Sequence, residues 1–161
     1  MIDTKELEAF ARGCIAAQAD LKPYMGEKLE EIGEEFLDIV KAEIENAGNV
    51  DFGLLKASFT RYRPANIWEL DLGALTLTVG TRVKYADYVN KGHSQQPGRF
   101  VPGIFEGDRF RYVKGAKTGI VLKSSFVKGS HYFDESVEAL QKMFPQAMEK
   151  SFEQFFRDHF P

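Results

Sequence analysis

The spacing of hydrophobic positions changes period twice along the chain. Leu29, Ile32, Phe36, Ile39, Val40 and Ile44 recur at three- and four-residue steps with acids between them, which lays one apolar stripe along an α-helix. Asp3 or Thr4 can cap an earlier, shorter helix that runs to about Lys22. There Pro23 is expected to interrupt it, because proline has no N–H to donate and crowds the preceding turn. Gly48 suits the end of the second helix. From Leu54 the period falls to two. SFTRYR reads as a strand ended by Pro64. WELDLGALTLTVGTRV then alternates so that Leu75, Leu77 and Val79 face one way and Thr76 and Thr78 the other, the pattern of a half-buried antiparallel hairpin.

Tyr85, Ala86, Tyr88 and Val89 fit a short helical turn. GHSQQPGRFVPGIFEGD follows, dense in glycine and proline, and residues 92–119 read as a long loop outside the core. The extended runs RFRYV and GIVLKSSFV flank KGAKTG as a further hairpin, which brings the total to about four strands. The helical period returns after Ser130, a candidate cap. Val137, Leu140, Phe144, Met148, Phe152, Phe155 and Phe156 step by three or four, Asp134 and Glu135 stand at the positive end of the dipole, and Pro145 marks a bend or restart. Helices, a sheet with a long loop, and a closing helix packed on that sheet make an α+β fold. The chain reads as a single domain over 1–161, with a helical region at 1–48, a sheet region at 53–128 and the closing helix at 130–160.

Composition narrows the function. A chain of 161 residues is long enough to bury a core without staples, and its one cysteine, Cys14, has no internal partner. The start, MIDTKELEAF, lacks the basic-then-apolar run of a signal peptide, and no apolar stretch reaches membrane-spanning length. A cytoplasmic origin and no membrane contact are therefore expected. The formal net charge of −3 hides an asymmetry: residues 27–45 hold eight acids against two bases, and residues 56–128 hold thirteen bases against five acids. An acidic helical face and a basic sheet region suit an acidic partner, a phosphate backbone, or each other in a neighbouring copy.

Candidate chemistry is sparse. His93 sits between aromatic residues and a glycine- and proline-marked loop, but a catalytic histidine needs an orienting acid and a nucleophile or metal placed by the fold, and the adjacent Ser94 supplies neither. His131 and His159 form no ligand pair, and VKGAKTGI lacks the spacing of a phosphate-binding loop. No enzyme activity, cofactor or metal is expected. The basic region 109–128 interleaves Arg109, Arg111, Lys114, Lys117, Lys123 and Lys128 with Phe110, Tyr112 and Phe126, a mixture suited to phosphate contact and base stacking. Alternation places Arg109 and Arg111 on one face of a strand and Phe110 and Tyr112 on the other. Non-specific nucleic-acid binding by this region is the alternative function.

The order SFTRYR, TLTVGTRVKYADYVNKGH, RFVPGIFEGDRFRYVKGAKTGIVLKSSFVKGSHYFDESVEAL and a phenylalanine-rich terminal helix resembles the head-tail joining or tail-completion proteins of long-tailed bacteriophages and prophages. The likeness runs from about residue 53 to the end. Its most specific element is YADYVNKGH, in which Asn90 stands where the family often has an acid; Gly129, Phe133 and Val137 match the family's turn and closing helix. The resemblance implies a non-enzymatic virion protein, made in the bacterial host cytoplasm and assembled as a ring at the neck or the head-proximal tail end. Its implied partners are other copies of itself, neck and connector proteins, tail tube proteins, and DNA touched without sequence reading. On this view Tyr85, Tyr88, Asn90, His93, Phe100, Phe155 and Phe156 are candidates for the subunit interface. Arg109, Arg111, Lys114 and Lys117 are candidates for facing the DNA passage, and the loop from His93 to Lys117 is expected to order against a neighbour.

Overall fold

A computed structural model describes residues 4–48 and 53–160 of the chain, so Asp3, one of the two candidate helix caps, lies outside the described residues. The element order is α1 (Thr4–Asn46), α2 (Gly53–Ser58), β1 (Asn66–Asp71), β2 (Thr76–Thr81), α3 (Ala86–Lys91), β3 (Gly92–Ser94), β4 (Phe100–Glu106), β5 (Arg109–Tyr112), β6 (Gly119–Val121), β7 (Phe126–Lys128) and α4 (Tyr132–His159). The fold is α+β, as the changes of period predict. It divides into two compact units, one of residues 1–86 with 132–161 and one of residues 87–131.

In the first unit the two long helices run antiparallel, with Phe10 against Phe160, Tyr24 against Phe155 and Phe36 against Phe133. This pairing explains why Pro23 lies inside α1 and does not end it. A proline in a helix interior costs about 3 kcal/mol through the lost hydrogen bond and the ring clash. Here α4 holds the helix on both sides of the break: His159 Nε2 lies 3.2 Å from the Asp20 carboxylate, and Tyr24 Oη donates to the Ser151 carbonyl at 2.9 Å. Pro145 likewise sits within an uninterrupted α4. Ser130 is not the cap of that helix, because its hydroxyl donates to the Val89 carbonyl at 3.1 Å.

His159 joins the helix ends and makes their packing pH-dependent. Its hydrogen bond to the Phe155 carbonyl, and then its approach to Asp20, hold its pKa above the ordinary 6.5. A raised folded-state value means that the stabilisation is fully present below the unfolded value and is lost as pH rises through the folded one. An NMR titration of His159 is expected to give a midpoint above 6.5 that falls in Asp20→Asn. A midpoint at or below 6.5, unmoved by that substitution, contradicts the assignment.

SFTRYR forms no strand. Leu55 and Phe59 are fully buried one helical turn apart, so α2 and the turn after it fold inward. Ser58 donates to the Leu55 carbonyl at 2.6 Å and meets the Thr81 hydroxyl at 2.7 Å, while the Asn66 amide donates to the Ser58 carbonyl at 2.9 Å. Burial of Leu55 and Phe59 outweighs the period-two pattern of their neighbours. The β1–β2 hairpin is as expected, with Trp68 opposite Val79 and Leu70 opposite Leu77. Leu77 and the Trp68 ring pack over Gly33 of α1. Thr76 and Thr78 face the other way, and Leu75 belongs to the turn with φ near 52°. The closing helix therefore lies along α1, and it is α1 that carries the hairpin.

The second unit holds more strands than expected. The stretch 92–119 contains β3, β4 and β5 and reaches the start of β6. GIVLKSSFV supplies two strands in different sheets: β6 pairs with β4, and β7 pairs with β3. The three-stranded order is β5-β4-β6, so β5 and β6 flank β4 and do not pair with each other across KGAKTG. Pro102 and Gly103 hide β4 in the sequence. Pro102 is tolerated because it lies one residue outside the register with β5, where its carbonyl still accepts from the Val113 N–H at 3.2 Å, and Gly103 because the Phe110 ring lies over it.

Candidate assembly surface

The second unit is closed at its base by the two stretches that carried the family resemblance. YADYVNKGH forms α3 and β3, FVKGSH forms β7 and the turn after it, and Gly92 lies opposite Lys128 in antiparallel register. The Ser130 N–H donates to the Val89 carbonyl and the His131 N–H to the Asn90 carbonyl, each at 2.9 Å. The chains approach so closely that a Cβ on Gly129 would collide with the Asn90 carbonyl oxygen and the Gly92 nitrogen. Gly92 is equally confined, with φ near 82° and Val127 and Gly129 backbone against it. The excursion between these points is thus pinched at its root.

What the root carries is a small sheet with aromatic side chains on both faces. On one face Phe105 lies opposite Phe110, with Val101 opposite Ile120 and Tyr112 beside them. On the other, Phe100 lies opposite Val121, Ile104 opposite Arg111, and Glu106 opposite Arg109. Phe105 is 62% exposed and Tyr112 60%, and Phe100, Val121 and Phe126 are exposed as well. Among the described residues of this unit, only Asn90, Gly103 and Gly129 are buried. A 45-residue unit that buries no large apolar side chain lacks a core of its own and leaves these side chains in water.

The expected interface residues separate on this structure. Tyr88 and His93 are exposed and meet ring to ring at 5.5 Å, and Phe100 is exposed at the start of β4. Asn90 is buried at the root, and Tyr85 is half-buried in the turn before α3. Phe155 is only 2% exposed, packed between Tyr24 and His159, so it is core of the first unit and offers no surface. Its neighbour Phe156 is 55% exposed and lines an apolar hollow with Phe10 and Phe160. His93 sits in β3 opposite Val127.

Arg109 and Arg111 share one face of β5 with Phe110 and Tyr112 on the other, as alternation predicts, and Arg111 pairs with Glu106 at 2.7 Å. Lys114 and Lys117 lie exposed in the connection from β5 to β6. The acidic stripe of α1 is partly engaged within its own unit. Arg61 pairs with Glu30 and Glu34 while stacking over Trp68, Lys56 pairs with Glu45, and Lys28 pairs with Glu31. It is therefore a weaker acidic patch than the residue count implies.

Sequence reasoning missed Ile104, Phe105 and Val121 as surface groups. The alternation of β4 was the available signal, masked by Pro102 and Gly103.

Two curated proteins of Bacillus subtilis (strain 168) are similar to this chain. The phage-like element PBSX protein XkdI is 37% identical over 131 residues, which cover 80% of this chain and 81% of that protein. The uncharacterized protein YqbI is 38% identical over 152 residues, covering 90% and 91%. No protein-family model matches the chain. No solved structure does either.

Proposed function

Because this chain belongs to the family of the phage-like element PBSX protein XkdI, we propose that it is a structural virion protein, a head-tail joining or tail-completion subunit that assembles as a ring. The observation that supports assembly is the coreless sheet of the second unit, whose aromatic side chains stay in water until another surface covers them. On this reading the chain catalyses no reaction, is made in the host cytoplasm, and ends in the neck or head-proximal tail of a phage-like particle. Its partners are further copies of itself together with neck, connector and tail tube proteins. Electron microscopy of particles formed with and without the gene tests the reading. Full heads beside unjoined tails, or tails of uncontrolled length, are expected without it. Normal particles in its absence overturn the assignment.

A second role has its own support in Lys114 and Lys117, both exposed in the connection from β5 to β6. We propose that the assembled ring contacts DNA phosphates there without reading sequence. Lys114→Glu with Lys117→Glu is then expected to weaken DNA binding and flatten its dependence on salt, by a slope of about 0.9 for each phosphate that is no longer neutralised. Binding and slope unchanged from the wild type remove the DNA role.

A further inference from the structure

The β1–β2 hairpin is two strands wide, and an apolar groove runs beside its outer strand. A cavity of about 280 Å³ lies among Ile32 and Phe36 of α1, Leu77 and Val79 of β2, and Val137 and Phe144 of α4. Among the described residues β2 pairs with β1 on one side only, so its other edge presents backbone N–H and C=O groups to no strand there. An apolar trough beside an unpaired edge accepts an added strand: the edge supplies main-chain hydrogen bonds, and alternate side chains enter the trough. The strand that fits must be apolar at every second residue.

β5 has that form. Arg109, Phe110, Arg111 and Tyr112 alternate basic with aromatic, and among the described residues β5 is itself an edge, paired with β4 alone. Charge points the same way. The outer face of the hairpin carries Glu69 and Asp71 across from Thr78 and Thr76. On α4, Asp134 and Glu138 follow Phe133 and Val137 by one residue, about 100° further around the helix, which sets acids on the rim.

We propose that β5 of a second copy of this chain adds to the free edge of β2, with Phe110 and Tyr112 in the trough and Arg109 and Arg111 toward the acids. The joint is heterologous, since each copy that offers its strand keeps its own groove for the next, as a ring or filament requires. The inference rests on reading the chain as a self-assembling subunit and names where its copies meet. On joining, Arg111 exchanges its partner Glu106 for the hairpin's acids, and Glu69 exchanges Arg82, now 3.6 Å away.

Disulfide trapping in the full chain, with Cys14→Ser as background, tests the joint. Thr76→Cys or Thr78→Cys chains are mixed with Arg109→Cys or Arg111→Cys chains and oxidised. Bridges between copies are expected, strongest for the combinations that share one register. As a second measurement, Arg109→Glu with Arg111→Glu is expected to lose the assembled species, and adding Glu69→Lys with Asp71→Lys to restore it. If the chain multiplies in particles yet none of these combinations bridges, or chains carrying both cysteines bridge only within themselves, the joint is overturned and the structural role stands. A chain that never associates with itself, in solution or in particles, overturns both.

Discussion

Gly129→Ala is expected to lower the stability of the second unit by about 3 kcal/mol or more, the upper end of what overpacking costs. The added methyl has nowhere to go: the atoms it meets are the Asn90 carbonyl oxygen, the Lys91 carbonyl carbon and the Gly92 nitrogen, and all three are backbone. Relief requires the two chains at the root to separate, which breaks the 2.9 Å bonds from Ser130 to Val89 and from His131 to Asn90. The β3–β7 pairing beside them should loosen with those bonds. Hydrogen exchange locates the effect, with faster exchange expected at the Ser130 and His131 amides. Gly53→Ala, where nothing lies within 4 Å of the new methyl, is the control and should change stability little. Equal protection in Gly129→Ala and wild type contradicts the pinched root. The sheet above the root carries the proposed assembly contacts, so the same substitution is expected to reduce incorporation into particles.

Phe59→Ala should be the most damaging single change in the first unit, at about 3 to 5 kcal/mol. Its ring is fully buried and lies edge-on to Tyr132 at 6.1 Å and close to Phe133 at 6.2 Å. It therefore ties the segment after α2 to the first turn of α4. Truncation removes the buried area and leaves a cavity whose walls belong to separate elements, which limits how far they can collapse. Denaturant unfolding measures the drop in stability. Phe156→Ala makes the contrast, because a ring 55% exposed gives up little burial and should cost about 0.5 kcal/mol or less. Comparable destabilisation by the two substitutions contradicts the division between core and surface phenylalanines in this unit.

That division was hidden in the sequence, where Phe155 and Phe156 are adjacent and equally apolar. Both belong to one periodic stripe, and only the position of Tyr24 on α1 decides that Phe155 turns inward. The acids of α1 show the same limit. Their number was legible, but their engagement by Arg61 and Lys56 depends on where the segment after α1 folds back.

The sequence by itself determined what depends on near neighbours: the apolar stripes of the two long helices, the hairpin with Leu77 and Val79 inward, the opposed faces of β5, and with them the α+β class. These follow from repeats of 3.6 and 2 residues, which the backbone imposes locally. The tertiary structure decided what depends on distant partners. Contacts from α4 on both sides of Pro23 keep α1 whole, and burial of Leu55 and Phe59 turns SFTRYR away from a strand. β4 takes both β5 and β6 as neighbours, where adjacency along the chain favoured a direct hairpin. In each case a long-range contact outweighs a local preference worth about 1 to 3 kcal/mol, and no window of sequence contains both partners.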